Sequence, residues 1–136
     1  LKMGETIHIP SCCYEIEEYI HGPNLQLTPQ YNVIFFDGND GASRRVEQVY
    51  KATRKVTNRA YLISNNPQLS RDGHVLSLSD TVSSELSPLV YLPFVQLLSF
   101  IVSNDLHSIY QHPLLKEFKA IAAAKTENFV NYDGDD

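Results

Sequence analysis

The chain has 136 residues, 43% of them apolar and 20% charged, the composition of a soluble globular domain large enough for a core of its own. Its net charge is −5, and Arg44-Arg45 is the densest basic pair. That balance argues against nucleic acid or an anionic membrane as the main partner.

In chain order, "LKMGET" is expected to be the tail of a helix that starts upstream, which would make the chain a segment of a longer protein. "HIPS" should be extended, because a proline disfavours the α region in the residue before it. Cys12 and Cys13 are adjacent and have no other cysteine to pair with, as expected of reduced thiols in a cytoplasmic protein. Ser11 is the expected N-cap of a helix that runs to about His21 and stops at Gly22-Pro23. "NVIFF" (32–36), followed by Asp37-Gly38, has the length and composition of a strand buried on both faces. Residues 42–57 predict an amphipathic helix with Val46, Val49, Ala52 and Val56 on its apolar stripe. "AYLIS" (60–64) and "HVLSLS" (74–79) predict two more strands. A long apolar helix should cover 84–105, capped near Ser83 or Ser84 and buried, since its prolines, Gln96 and serines do not suit a membrane span. A further helical stretch through "LLKEFKAIAAA" and a disordered tail at 131–136 complete the chain. The alternation of strands and helices predicts an α/β fold with a mostly parallel sheet.

Chemistry concentrates near the N-terminus. Glu5 should sit at the end of the first helix and His21 at the end of the second, where the partial negative charge of a helix C-terminus suits an imidazole that handles protons. Brought together, a carboxylate and an imidazole make a general acid–base pair. On residue types alone, a solvated acidic face with a capping histidine is the commoner arrangement. Glu18-x-x-His21 has the carboxylate–histidine spacing of di-iron bundles, but the second such motif those sites need is missing, so no metal is expected. His8, His74, His107 and His112 stand singly, and no phosphate-binding loop pattern occurs.

Leu1, Lys2 and Glu5, followed by Glu18 and His21-Gly22-Pro23, resemble the second sugar isomerase (SIS) domain of phosphosugar isomerases, with Glu5 and His21 sixteen residues apart. The relatives in question are the isomerase half of glutamine–fructose-6-phosphate aminotransferase and the fructosamine-6-phosphate deglycases. The likeness continues through the strand ending at Asp37, the "ELSPLVYLPFVQLLSF" helix and His112-Pro113.

The resemblance implies a three-layer α-β-α sandwich with a mostly parallel, flavodoxin-like sheet, the incomplete C-terminal SIS domain occupying 1–130. It implies a phosphosugar isomerase or deglycase acting on an amino-sugar or fructosamine 6-phosphate without a cofactor. Glu5 corresponds to the base that moves a proton between the sugar's first two carbons, and His21 to the histidine that assists ring opening. His21 would be contributed across a homodimer interface. Lys2 and Glu18 would support the substrate site, as would a C-terminal lysine; the family spacing lands on Phe118, leaving Lys116, Lys119 and Lys125 as neighbours, of which Lys119 and Lys125 are the candidates. The Ser/Thr phosphate loop of the relatives lies in an N-terminal SIS half absent from this sequence, so the isolated fragment should be inactive. The alternative within the family is a non-catalytic sugar-phosphate-binding regulatory module, and outside it a purely structural α/β domain.

Overall fold

A computed structural model describes residues 2–78 and 82–107, except for the side chain of Lys2. Among the described residues, seven helices and strands follow one another: α1 (Lys2–Ile7), α2 (Ile16–Ile20), β1 (Val33–Phe36), α3 (Ser43–Thr53), β2 (Ala60–Ser64), β3 (Val75–Ser77) and α4 (Ser87–Asp105). Short 3₁₀ turns occupy Pro23–Gln26 and Pro67–Leu69. The fold is mixed α/β with a small parallel sheet of order β1-β2-β3. The chain divides into two compact units, residues 12–94 and residues 1–11 with 95–136. The predicted helix through "LLKEFKAIAAA", Lys116, Phe118, Lys119, Lys125, His112 and the 131–136 tail lie outside the described residues.

Residues 12–94 hold the sheet. Val33 pairs with Ala60 and Phe36 with Ile63, while Leu62 pairs with Val75 and Ser64 with Ser77. The expectation of burial on both faces holds for β2 but only in part for β1. Leu62 and Ile63, consecutive and therefore on opposite faces, are both buried, because β2 is the central strand. In β1, Phe35 is buried but Phe36 is 40% exposed. Phe35, Ala60 and Leu62 form one core with Val46, Val49 and Tyr50 of α3, flanked by Ile16, Tyr19 and Ile20 of α2. The Phe35 ring meets Tyr19 and Tyr50 edge-on, at centroid distances of 5.9 and 6.1 Å, the geometry that aromatic quadrupoles favour. Phe36 points the other way and meets Tyr91 and Phe94.

The buried stripe of α3 differs from the predicted one. Val46 and Val49 are buried as expected, but Tyr50 and Thr53 complete the stripe, and Ala52 and Val56 face outward. The helix stops at Thr53 rather than 57 because the next residues tighten into i→i+3 bonds, Lys55 to Ala52 and Val56 to Thr53. Just beyond, the buried Thr57 hydroxyl shares its hydrogen between the carbonyls of Pro29 and Tyr31 and accepts from the Arg59 N–H. With the Val33 N–H on the Arg59 carbonyl, it aligns the starts of β1 and β2.

α2 is also shorter than predicted. Its N-cap is Glu15, not Ser11; the Glu15 carboxylate accepts from the N–H groups of Glu17 and Glu18. A carboxylate can cap as a hydroxyl does, and the sequence offered both.

Of α4, the expectation of burial is corrected. Leu89, Val90, Leu92, Leu97, Phe100 and Ile101 are exposed, whereas Ser87, Tyr91, Ser99 and Ser103, on one i, i+4 stripe, are buried. An apolar run without polar alternation does not encode which stripe turns inward. By length and composition alone this helix could cross a membrane, although Pro93 removes one of its backbone donors. In the other unit, Ile7 is buried and the Ser99 hydroxyl donates to the Met3 Sδ at 3.0 Å.

Two predictions follow from the core and its polar clamps. Leu62→Ala should destabilise the chain by about 2–5 kcal/mol in urea unfolding, the range for emptying a filled core position. Asp72 accepts from the His74 N–H and from the Tyr50 hydroxyl, and these bonds, the first above all, hold its carboxyl below the ordinary value of 3.8. A depressed native-state value stabilises above the ordinary carboxylate range, and that contribution is lost as pH falls through it. Asp72→Asn should therefore lower stability at neutral pH and flatten the loss of stability on acidification below about pH 4.

Candidate functional site

Glu5 lies in α1 with an exposed side chain, in one unit; His21 and Glu18 lie in the other. His21 is the C-cap of α2, its N–H shared between the carbonyls of Glu17 and Glu18 at 3.3 Å each, and its imidazole is exposed. With five residues, α2 is too short for a developed macrodipole. Gly22-Pro23 ends the helix, as expected, without a left-handed glycine. Gly22 is extended at φ 175°, and Pro23 stops the helix by opening a 3₁₀ turn. Glu18 approaches His21 only through its backbone carbonyl; among the described residues its carboxylate makes no bond to the imidazole. Glu15 and Glu17 are not merely solvated, since Glu15 caps α2 and Glu17 pairs with Arg45 at 2.9 Å. The Tyr19 hydroxyl and Asn24 Oδ1, on either side of His21 in sequence, are buried without a hydrogen-bond partner among the described residues. Lys2 is in α1, and Lys119 and Lys125 fall outside the described residues.

A second constellation is drawn together at the carboxyl ends of β1 and β2. Asp37 follows β1 and is only 6% exposed. Its Oδ1 accepts from the Asn39 N–H at 3.0 Å and the Ser43 hydroxyl at 2.5 Å, and its Oδ2 accepts from the Ser64 hydroxyl at 2.7 Å. The backbone joins in, the Asp37 N–H on the Ile63 carbonyl and the Tyr91 hydroxyl on the Asp37 carbonyl. Asn39 adopts φ 54°, a left-handed conformation that asparagine tolerates well, and its Nδ2 reaches the Val82 carbonyl. Asp40 receives the Ala42 N–H and gives its own N–H to Ser43 Oγ, which fixes the entry into α3.

Around this knot opens a polar cleft of about 410 Å³, lined among others by Asn39, Ser43, Arg44, Glu47, Asn65 and Asn66. The signal in the sequence was "DGNDGAS" after a buried strand, a run of Asx and Ser turn formers at the strand-to-helix junction where open parallel sheets hold ligands. Among the described residues, no group of three or more His, Cys, Asp or Glu side chains could hold a metal ion. Cys12 and Cys13 are unpaired and exposed.

No protein-family model matches the chain, and no curated protein matches it.

Asp37→Ala would leave two buried or half-buried hydroxyls and a backbone N–H without their acceptor. It should cost about 3 kcal/mol or more by urea unfolding, whereas Asp37→Asn, which keeps a carbonyl oxygen there, should cost less.

Proposed function

We propose that the chain is the C-terminal part of a phosphosugar isomerase or deglycase acting on an amino-sugar or fructosamine 6-phosphate. The observation that carries this reading is His21: an imidazole presented to solvent at a helix end that Pro23 terminates, sixteen residues after an exposed Glu5. Glu5 takes the proton from the carbon beside the sugar's carbonyl or iminium and returns it to the neighbouring carbon. His21, offered across a homodimer interface, relays the proton that opens the ring. Lys2, Glu18 and either Lys119 or Lys125 surround the substrate, and no cofactor takes part.

The sheet supports the same reading. Three consecutive parallel strands in the order β1-β2-β3 match the last three of a 2-1-3-4-5 flavodoxin-like sheet. Phe35 faces α2 and α3 while Phe36 faces Tyr91 and Phe94, which suits a sheet covered on both sides, as in a three-layer SIS domain. The phosphate loop belongs to an N-terminal SIS half, and unpaired cysteines suit the cytoplasm.

In the full-length protein, Glu5→Gln should lower turnover of fructosamine 6-phosphate or hexosamine 6-phosphate on the order of 10²–10⁴-fold, with substrate affinity nearly unchanged. Undiminished turnover would refute the assignment. A wild-type protein that binds these sugars without converting them would identify the regulatory module instead.

A further inference from the structure

Cys12 and Cys13 are the chain's only cysteines, and both are exposed. They lie in the connection between α1 and α2, in neither helix nor strand, and Tyr14 follows them. All three belong to the unit of residues 12–94. Neither thiol takes part in the reaction proposed above.

Adjacency decides what two such thiols can do together. Across a trans peptide the Cα atoms are about 3.8 Å apart, below the roughly 4.4–6.8 Å that a relaxed disulfide spans. The bond between Cys12 and Cys13 is trans, so direct closure to a disulfide is strained and easily reversed. An interposed atom relieves the strain. Two metal–thiolate bonds of about 2.3 Å each hold sulfurs much farther apart than the ~2.05 Å of a disulfide. Side chains that leave an extended backbone in different directions can then share one ion.

The number and softness of the ligands select the ion. A structural zinc site needs four ligands, and among the described residues no group of three or more His, Cys, Asp or Glu side chains could supply them. Calcium and magnesium take oxygen ligands. Two thiolates alone suit a soft ion that is content with a linear pair of sulfurs, and monovalent copper is the one that thiolates favour. The surroundings support it. The Tyr14 phenol stands beside the Cys12 thiol, and their hydrogen bond, then the sulfur's charge, raise that phenol above its ordinary value. A phenol so held stays protonated and remains a donor to the sulfur, as the outer partners of metal ligands do. The Glu18 carboxylate, close enough to act on the same phenol, adds negative potential that draws a cation.

We propose that Cys12 and Cys13 together bind one monovalent copper ion, with the Tyr14 hydroxyl bonded to the Cys12 sulfur. Each thiol releases its proton to solvent as the ion arrives. The centre is then a bis-thiolate with one net negative charge, and the copper stays monovalent, so no electron moves.

Anaerobic competition between the reduced full chain and the Cu(I)–bicinchoninate complex tests this. The chain should withdraw one copper per chain, and added zinc should not displace it. Cys12→Ser and Cys13→Ser, at exposed positions outside the helices and strands, should each return the copper to the chelator with an unchanged far-UV circular dichroism spectrum. Tyr14→Phe should weaken binding about tenfold or more, the scale on which outer partners of metal ligands act. Glu5→Gln and His21→Ala should bind copper as the parent chain does. X-ray absorption of the loaded chain should find two sulfurs and no nitrogen around the copper. A parent chain that leaves the copper with bicinchoninate would overturn the proposal, as would copper retained by either cysteine variant. A histidine nitrogen in the copper shell would overturn it too, and so would one copper per two chains, which would divide the ligands between copies.

Discussion

The Asp37 carboxylate sets the terms for residues 12–94. It is buried with no basic side chain bonded to it, so hydrogen bonds alone must replace the water it has lost. Meeting that demand fixes three pieces of chain at once. The Asn39 N–H can reach Oδ1 only if the loop turns at once after β1, which puts Asn39 in its left-handed conformation. Ser43 must stand at the first turn of α3, and Ser64 at the last position of β2. The Asp37 backbone N–H donates to the Ile63 carbonyl, and its carbonyl accepts from the Tyr91 hydroxyl. The cleft exists because these partners hold the two strand ends and the start of α3 rigidly around it.

The apolar core is modest, and polar clamps share the work of defining it. Tyr50 shows the division of labour within one side chain. Its ring is buried against Phe35, and its hydroxyl reaches out to Asp72 at 2.7 Å. Burial, and then the bond to the Asp72 carboxylate, raise the phenol well above its ordinary value, so it stays a donor at any physiological pH. Asp72 in turn holds the turn before β3 through the His74 N–H, while the His74 ring lies against Tyr61 at 5.3 Å. Thr57 does at the amino ends of β1 and β2 what Asp37 does at their carboxyl ends.

How much of this the sequence discloses depends on the element. "AYLIS" is the whole of β2, and "NVIFF" contains β1, because short apolar runs bounded by turn formers have few other uses. The stripe of α3 was legible only in part: Val46 and Val49 announce themselves, but Thr53 and Tyr50 are buried through hydroxyl partners and packing that pattern does not record. The N-cap of α2 was misplaced because Ser11 and Glu15 can each cap a helix, and tertiary context chose the second. For α4 the composition gave the helix and its extent within a few residues, yet the inward face is the serine stripe, the reverse of what hydropathy suggests. Of the candidate site, the motif residues are legible as residues; the Asp37 knot is not, since three of its partners lie in separate elements and meet only after folding.

The sheet order has one more consequence. Among the described residues β1 pairs on one side only, and its exposed edge is Val-Ile-Phe-Phe, with no charge, proline or bulge to discourage a neighbour. Such an edge is a template for strand addition. Within a larger sheet such an edge can receive a further strand, and left unpaired it is the kind of edge on which strands of neighbouring copies can add.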